Sequence, residues 1–450
     1  MNELEQIRAA GIVGCGGAGF PTHVKLNCQV EYLIVNGVEC EPLLRTDRWL
    51  MKHKAHALVE AADRAGEMTG ARERVIVLKE SYHEEIASLQ AEVKKSGRNV
   101  TIFLVNNYYP AGDEQMLVCD VTGRTVPPAG IPLDVGAVVS NAATMYAIYE
   151  SFQGTAFTHK YLTVTGAVKT PTVLRVPIGT TFGDCLKAAG GITVDDYEVI
   201  AGGPLMGVQV PREELGNRPV TKTTSGLIVV ARDIPLIQNK KIPLSVVLKR
   251  AKSSCIQCRN CTDMCPRYLS GHPLEPHRIM RKMAFAGADG PDLEAADIRQ
   301  AAICSECGVC EVFACPMGLM PREVNRYIKG LLAQKQIRYS RPEGTDVYTK
   351  RPERELRRPP SKRLAARLGV EPYYDQVIDT LSEPSVHRVI IPLKQHIGVP
   401  ARPLVTVGEQ VVCGQLIGQC PEGMLGAYVH ASIDGTVTYS GDVIAIEGRW

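Results

Sequence analysis

Two runs of cysteine carry the most specific chemistry in this sequence. The first reads Cys255-x-x-Cys258-x-x-Cys261-x-x-x-Cys265-Pro266 and the second Cys304-x-x-Cys307-x-x-Cys310-x-x-x-x-Cys315-Pro316. Three thiolates on one tight loop can cap three corners of an iron–sulfur cube, while a fourth, just ahead of a proline, reaches across from the other run. This is the ligand pattern of two [4Fe–4S] clusters. It assigns Cys255, Cys258, Cys261 and Cys315 to one cluster, and Cys304, Cys307, Cys310 and Cys265 to the other. The second run has one residue more than the usual spacing before its last cysteine, so the turn ahead of Pro316 must still present Cys315. Zinc sites take four Cys or His per metal at tetrahedral spacing, a poor match to two runs that each end in Cys-Pro. Disulfides need an oxidising compartment, and a start with Glu3, Glu5 and no long apolar core is not a secretory signal. His272 and His277 lie between the runs, where eight cysteines already complete both clusters, and read as surface or capping residues. Such clusters pass electrons singly, so the rest of the chain has to supply them.

Two loops near the N-terminus offer a place for a donor. Gly14-Cys15-Gly16-Gly17-Ala18-Gly19-Phe20-Pro21-Thr22, followed by Lys25, lets backbone approach a phosphate or a flat ring. Thr22 is a candidate helix cap, Lys25 a point charge and Phe20 a stacking face. Taken alone, an unliganded glycine turn explains the loop equally well; it is neither a Walker loop nor preceded by the strand of a dinucleotide fingerprint. The second loop, Asn36-Gly37-Val38-Glu39-Cys40-Glu41-Pro42, follows an apolar strand. Asn36 can donate and accept at a heterocycle edge, and Glu39 and Glu41 can accept from hydroxyls. A solvated acidic turn is the plainer alternative.

These loops need a scaffold. Residues 1–155 alternate short apolar strands (Leu33–Val35, Val75–Leu78, Val100–Val105) with helical patterns (Asp47–Ala65, His83–Lys95), which implies a mainly parallel sheet with its ligands at the strand C-termini. Residues 156–232 turn β-rich: Tyr161–Gly166 and Thr172–Pro177 read as paired strands, followed by a short helix, Gly202–Gly207 and a strand at Gly226–Ala231. Residues 233–330 hold the cysteine runs in a helical module, with Phe313 placed to shield a cluster. Residues 331–385 are rich in Arg and read as a solvated basic linker with a surface helix, with a docking face for an acidic partner as the sharper alternative. Residues 386–450 return to β, with an Asp434-Gly435 turn signal. The remaining Cys28, Cys119, Cys185, Cys413 and Cys420 read as small buried hydrophobes.

Together the loops carry a resemblance. Gly14–Lys25 with Asn36–Pro42 resembles the flavin-binding domain of the NADH-oxidising subunit of respiratory complex I, and more closely the C subunit of Rnf electron-transport complexes. Tyr109-Pro110-Ala111-Gly112-Asp113-Glu114-Gln115 resembles the segment beside the flavin in that family. Ser140-Asn141-Ala142-Ala143-Thr144 resembles its Asn-rich helix start near the flavin phosphate. The resemblance implies non-covalent FMN with NADH as donor. It gives flavin contacts at Gly14, Gly16, Gly17, Gly19, Phe20, Lys25, Asn36, Glu39, Glu41, Gly112, Glu114, Asn141 and Thr144. Cys15 stands where the complex I subunits have Arg. The implied fold is multidomain α/β: a Rossmann-like FMN domain, a β-grasp (SLBB-like) domain, a helical ferredoxin-like module for two [4Fe–4S] clusters, and a C-terminal all-β barrel-sandwich hybrid. Carriers of the hybrid fold modify a lysine at a hairpin tip, but no Lys follows Lys394, which excludes a swinging arm.

The domain order is similar to that of the cobalamin reductases of propanediol-utilisation microcompartments. That similarity implies transfer from NADH to cob(III/II)alamin, giving cob(I)alamin for a corrinoid adenosyltransferase, in the cytoplasm or inside a microcompartment with its shell protein as neighbour. No Asp-x-His-x-x-Gly corrinoid motif is present. The alternative is a soluble Rnf C-like subunit feeding another reductase, such as an amino-acid reductase. A net charge of +3 gives no reason to expect nucleic acid, and no apolar run reaches the roughly 18 residues of a membrane span. No nucleophile, general-acid or hydrolase constellation competes.

Overall fold

The computed structural model describes residues 2–287, 290–341 and 347–448. Its first layer is a four-stranded sheet of β1 (Tyr32–Asn36), β2 (Glu73–Lys79), β3 (Thr101–Val105) and β4 (Ala137–Asn141), in the order β3-β2-β1-β4. Every neighbour is parallel, with Val35 opposite Ile76 on one side and Ser140 on the other. The buried runs Leu33–Val35 and Val75–Leu78 are what a sheet covered on both faces requires. Strand order reverses between β1 and β4, and the crevice at such a switch point is where open α/β sheets bind ligands. The single helical pattern from Asp47 to Ala65 folds as two helices, Thr46–His53 and Ala55–Met68, because Lys54 leaves the helical region (φ −126°, ψ 30°). The capping role expected of Thr22 is not realised: Pro21 precedes a single turn, Thr22–Lys25, of which Thr22 is the first residue.

The second layer is a six-stranded sheet. It contains β5 (His159–Gly166), β6 (Thr172–Pro177), β7 (Tyr197–Ala201), β8 (Val208–Val210) and β9 (Gly226–Ala231), with Leu381–Ser382 added at the edge of β6. The cysteine module is helical, built on Leu244–Ser254, Pro276–Ala284 and Pro321–Gln334 around Ile279, Met283, Val324 and Ile328. The C-terminal residues form two small antiparallel sheets. Their apolar interior (Val389, Ile391, Ile417, Val429, Ile444) belongs to the same hydrophobic cluster as Leu33, Val35 and Ile148 of the first domain.

Four further expectations need correcting. Residues 331–385 are not a solvated linker. Arg354 is 1% exposed and its guanidinium donates to Asp120, while Leu364, Ala365 and Leu368 of helix Ser361–Leu368 are buried against Ile237 and Val309. Of the cations that suggested solvation, Arg354 and Arg358 pair with Asp120 of the first domain and Arg351 donates to the Tyr268 carbonyl of the cysteine module, so the described part of the segment is a strap across those two domains. The Asp434-Gly435 signal is not a hairpin turn: Asp434 accepts from the Cys413 N–H and Gly435 begins a strand, while the hairpin turns at Gly441-Asp442. His272 is buried with Nε2 at 2.7 Å from the Val126 carbonyl, and Cys413 is exposed.

Candidate functional site

The two cysteine loops adopt one backbone design. Gln257 and Arg259 in the first have positive φ (55° and 70°), and so do Glu306 and Gly308 at the same offsets in the second (59° and 82°). Each left-handed residue turns the chain so that successive thiols point inward. The last cysteine of each run has matching extended backbone, with φ −72°, ψ 122° at Cys265 and φ −74°, ψ 114° at Cys315. They reach that conformation differently. A short α-helical turn, Asn260–Asp263, leads to Cys265, whereas Cys310–Ala314 forms a π-helical turn leading to Cys315. A π turn is one residue wider than an α turn, and it absorbs the extra residue of the second run.

The thiols gather in two groups. Cys255, Cys258, Cys261 and Cys315 line one cavity; Cys265, Cys304, Cys307 and Cys310 line another. The fourth cysteine of each group therefore comes from the opposite run. Burial and then the neighbouring Cys255, Cys315 and Cys258 push the Cys261 thiol up to about 12, and burial pushes Cys307 up to about 11. N–H donors face the sulfurs: Glu306 N to Cys304 Sγ at 3.4 Å, Asn325 Nδ2 to Cys304 Sγ at 3.5 Å, and Leu319 N to Cys315 Sγ at 3.4 Å. An all-sulfur donor set with N–H support fits two [4Fe–4S] clusters.

A cavity of about 610 Å³ opens at the β1/β4 switch point. Among the expected flavin contacts, Gly16, Gly17, Asn36, Glu39, Glu41, Gly112 and Asn141 line it. Its far wall is made by Gly202, Gly203 and Met206 of the β-grasp layer and by Ser305 and Cys307 of the second cysteine loop. Two of these glycines are required by close approach: a Cβ on Gly16 would sit 3.0 Å from Asn141 Cγ, and one on Gly203 would sit 2.1 Å from Glu41 Oε2. Gly17 has nothing within 4 Å of its would-be Cβ and leaves open space. A cradle of bare backbone beside a helix start, Asn141 capping Ala142–Phe152, fits a flat ring bearing a phosphate.

Other expected contacts act differently or elsewhere. Gly14, Gly19, Phe20, Lys25, Glu114 and Thr144 do not line the cavity. Gly14 N–H donates to the Phe20 carbonyl and Cys15 N–H to Thr144 Oγ1, so these residues shape the loop from behind. The Phe20 side chain is 36% exposed, and Lys25 pairs with Glu114 at 2.8 Å. Asn36 is engaged at both ends, donating to Gly112 O and accepting from Val38 N. Glu39 caps helix Thr46–His53 by accepting from Asp47 N and Arg48 N. Glu41 accepts from Leu205 N at 2.9 Å; burial raises its acid range to about 7, as it does for Glu39, which Asp47 also crowds. Lys160, Asp47, Thr46, Thr223 and Ser225 line the cavity without having been singled out from sequence. They come from a helix (Thr46, Asp47), a strand (Lys160) and the loop ahead of Gly226–Ala231 (Thr223, Ser225), positions with no motif, so only the tertiary fold assembles them.

Three contacts clamp the cavity to the second cysteine group. Tyr109 Oη donates to the Cys307 carbonyl at 2.9 Å. Arg267, two residues beyond Cys265, forks onto both oxygens of Asp113 at 2.7 and 2.9 Å. Arg322 donates to the Leu205 carbonyl and pairs with Glu311 inside the π turn.

Comparison with known proteins agrees with this layout. Residues 7–150 match the Nuo51 FMN-binding domain, 161–209 the SLBB domain, 254–320 the 4Fe-4S dicluster domain, and 373–449 the RnfC barrel sandwich hybrid domain. The chain therefore carries an FMN domain and a module for two [4Fe–4S] clusters. The C subunit of the Na(+)-translocating ferredoxin:NAD(+) oxidoreductase complex of Acetobacterium woodii is 34% identical over 58% of this chain and 56% of its own length. The solved structure of an NAD+-reducing [NiFe]-hydrogenase in the H2-reduced state matches with a TM-score of 0.47 at 22% identity, over 74% of this chain and 62% of that one. Cobalamin reductase PduS of Salmonella typhimurium is 45% identical and that of Citrobacter freundii 42%, each over 96% of this chain and 93% of the relative. With that identity sustained over nearly the whole chain, and all four domains in place, this protein belongs to the PduS cobalamin reductase family.

Proposed function

We propose that this protein is an NADH-dependent cobalamin reductase, passing electrons from NADH through FMN and two [4Fe–4S] clusters to a corrinoid and taking cob(III/II)alamin to cob(I)alamin. The observation that carries the order of transfer is the shared cavity, whose walls run from Gly16 and Gly17 to Cys307. Bound FMN supplies the exchange between a two-electron hydride donor and one-electron clusters. In this reading Gly16, Gly17, Asn141 and the Asn36–Glu41 loop hold the flavin, with Gly14, Gly19 and Thr144 shaping the loop. Lys25 and Glu114 neutralise each other beside it, next to the Phe20 edge. Cys265, Cys304, Cys307 and Cys310 hold the cluster next to the flavin, and Tyr109 and Arg267 fix its distance. Cys255, Cys258, Cys261 and Cys315 hold the second cluster. Exposed Cys258, with Ile256 at 61% exposure beside it, is the exit toward the acceptor.

The corrinoid as acceptor rests on family membership. Among the described residues no helix is long and apolar enough to cross a membrane. The same reading has cob(I)alamin handed to an adenosyltransferase, in the cytoplasm or inside a microcompartment beside shell protein; co-purification with intact microcompartments tests that location. Anaerobic NADH titration of the reconstituted protein, followed by visible absorbance and EPR and then by addition of hydroxocobalamin, tests the activity. Bleaching of the flavin, reduced-cluster signals and cob(II)alamin or cob(I)alamin formation are expected. Reduction that stops at the clusters would instead favour a soluble chain feeding another reductase.

A further inference from the structure

The wall of the flavin cavity is unbalanced in charge. It presents four carboxyls, Glu39, Glu41, Asp47 and Asp113, and Lys160 is the one Lys or Arg among its described lining residues. Lys160 comes from β5 of the β-grasp layer, not from the FMN-binding domain. It is 2% exposed, its backbone is fixed opposite Val176, and its ammonium has no hydrogen-bond partner among the described residues. Its charge acts on Asp47, which accepts from Asn141 Nδ2 at 2.6 Å and from Ala143 N at 3.3 Å at the start of helix Ala142–Phe152. Gly16 closes against the same Asn141. Lys160 therefore stands at the end of the cavity where bare backbone and an eleven-residue helix N-terminus converge.

Other cations near the glycine loop are engaged. Lys222 is buried, but its Nζ donates to the carbonyls of Gly11 and Tyr428 at 2.7 and 2.6 Å. Lys25 is paired with Glu114 off the wall. Arg267 is locked on Asp113. A dianionic phosphate brought beside Asp47 without a cation is costly, and that penalty is relieved if the Lys160 ammonium meets the phosphate.

We propose that Lys160, reaching in from the β-grasp layer, is the cation that binds the flavin phosphate and balances it against Asp47. This rests on the FMN reading of the cavity. It gives the β-grasp layer a role in holding the cofactor, and it makes flavin retention depend on the interface between two domains. The discriminating probe is the phosphate itself. Apoprotein with both clusters intact is titrated with FMN and, separately, with riboflavin, by fluorescence quenching, for wild type, Lys160→Met and Lys160→Arg. Loss of a charge-assisted hydrogen bond of about 1.5–3 kcal/mol corresponds to roughly a 10- to 150-fold weaker FMN Kd. We expect that loss in Lys160→Met, little change for riboflavin, and substantial rescue in Lys160→Arg. Equal weakening of FMN and riboflavin, or unchanged FMN affinity in Lys160→Met, would overturn the assignment. Wild-type protein that binds neither flavin would instead overturn the flavin reading. Iron content and the circular-dichroism melt of each variant report folding separately.

Discussion

The middle cysteine of each run sits at the same point of the same loop, yet the two meet different surroundings. Cys258 opens to solvent, while Cys307 opens to the flavin cavity. The third cysteines, Cys261 and Cys310, line different cages but are close enough for the charge of Cys261 to act on Cys310. One repeated unit thus places one port on the flavin side, one on the solvent side and a junction between them. The copies differ in what surrounds them. Around Cys307 the second run has Tyr109, Arg267 and the Arg322–Glu311 pair, and its turn is widened to a π turn. Around Cys258 stand exposed Ile256, Gln257 and Arg259. The same ligand geometry can therefore serve as a fixed entry or an open exit, according to what is packed against it.

The largest effects should come from removing a port. Cys258→Ala should lose the iron of one cluster and abolish reduction of added corrinoid, while NADH still reduces the flavin and the remaining cluster. Iron analysis and EPR of the NADH-treated variant check this, and an unchanged corrinoid rate would break the assignment of Cys258 as exit. Next is the clamp. Arg322→Ala leaves Glu311 buried without its partner, which should cost about 3–5 kcal/mol of stability in denaturant unfolding. Its iron loss should concentrate in the cluster bound by Cys304, Cys307 and Cys310, since those loops contact Arg322.

A smaller effect sets the acid-rich flavin side apart from the exit. The folded protein holds the Glu41 proton up to about pH 7 where the unfolded chain releases it near 4.5. The folded state therefore binds more protons across that window, and Glu41's contribution to stability falls as pH rises through it. Glu41→Gln should match wild type near pH 4 and exceed it at pH 8 by up to about 3 kcal/mol in the flavin-free protein. Equal unfolding curves at both pH values would remove Glu41 as a source of the dependence. The smallest expected effect is electronic. Asn325→Leu removes an N–H donor from Cys304 Sγ and should lower the potential of the flavin-side cluster alone, read by EPR-monitored redox titration. An equal shift in both clusters would mean that the cages are not independent.

How far the sequence reached follows the same contrast. The cysteine spacing was legible because it is local in the chain, and the structure places Cys265 and Cys315 each in the cavity of the opposite run. The extra residue before Cys315 was visible, but its accommodation as a π turn was not, since that depends on Arg322 and Leu205 packing around Glu311. In the flavin cavity Gly16 and Gly112 were legible because close approach admits little else. The polar side chains were visible but their roles were not: the Glu39 carboxylate caps a helix and the Asn36 amide braces two loops, both decided by the folded partners. Lys160 and Asp47 lie in regular elements with no motif, and the strap around Arg354 looked solvated because its partner Asp120 is far away in the chain.

The central claim is the direction of transfer, from the flavin cavity through the Cys307 cage to the Cys258 cage. The most direct test is anaerobic NADH titration of Cys307→Ala protein reconstituted with FMN, followed by EPR. The account predicts a bleached flavin with the Cys255, Cys258, Cys261 and Cys315 cluster left oxidised on the turnover timescale, although dithionite reduces it. Rapid reduction of that cluster by NADH in the variant would contradict it.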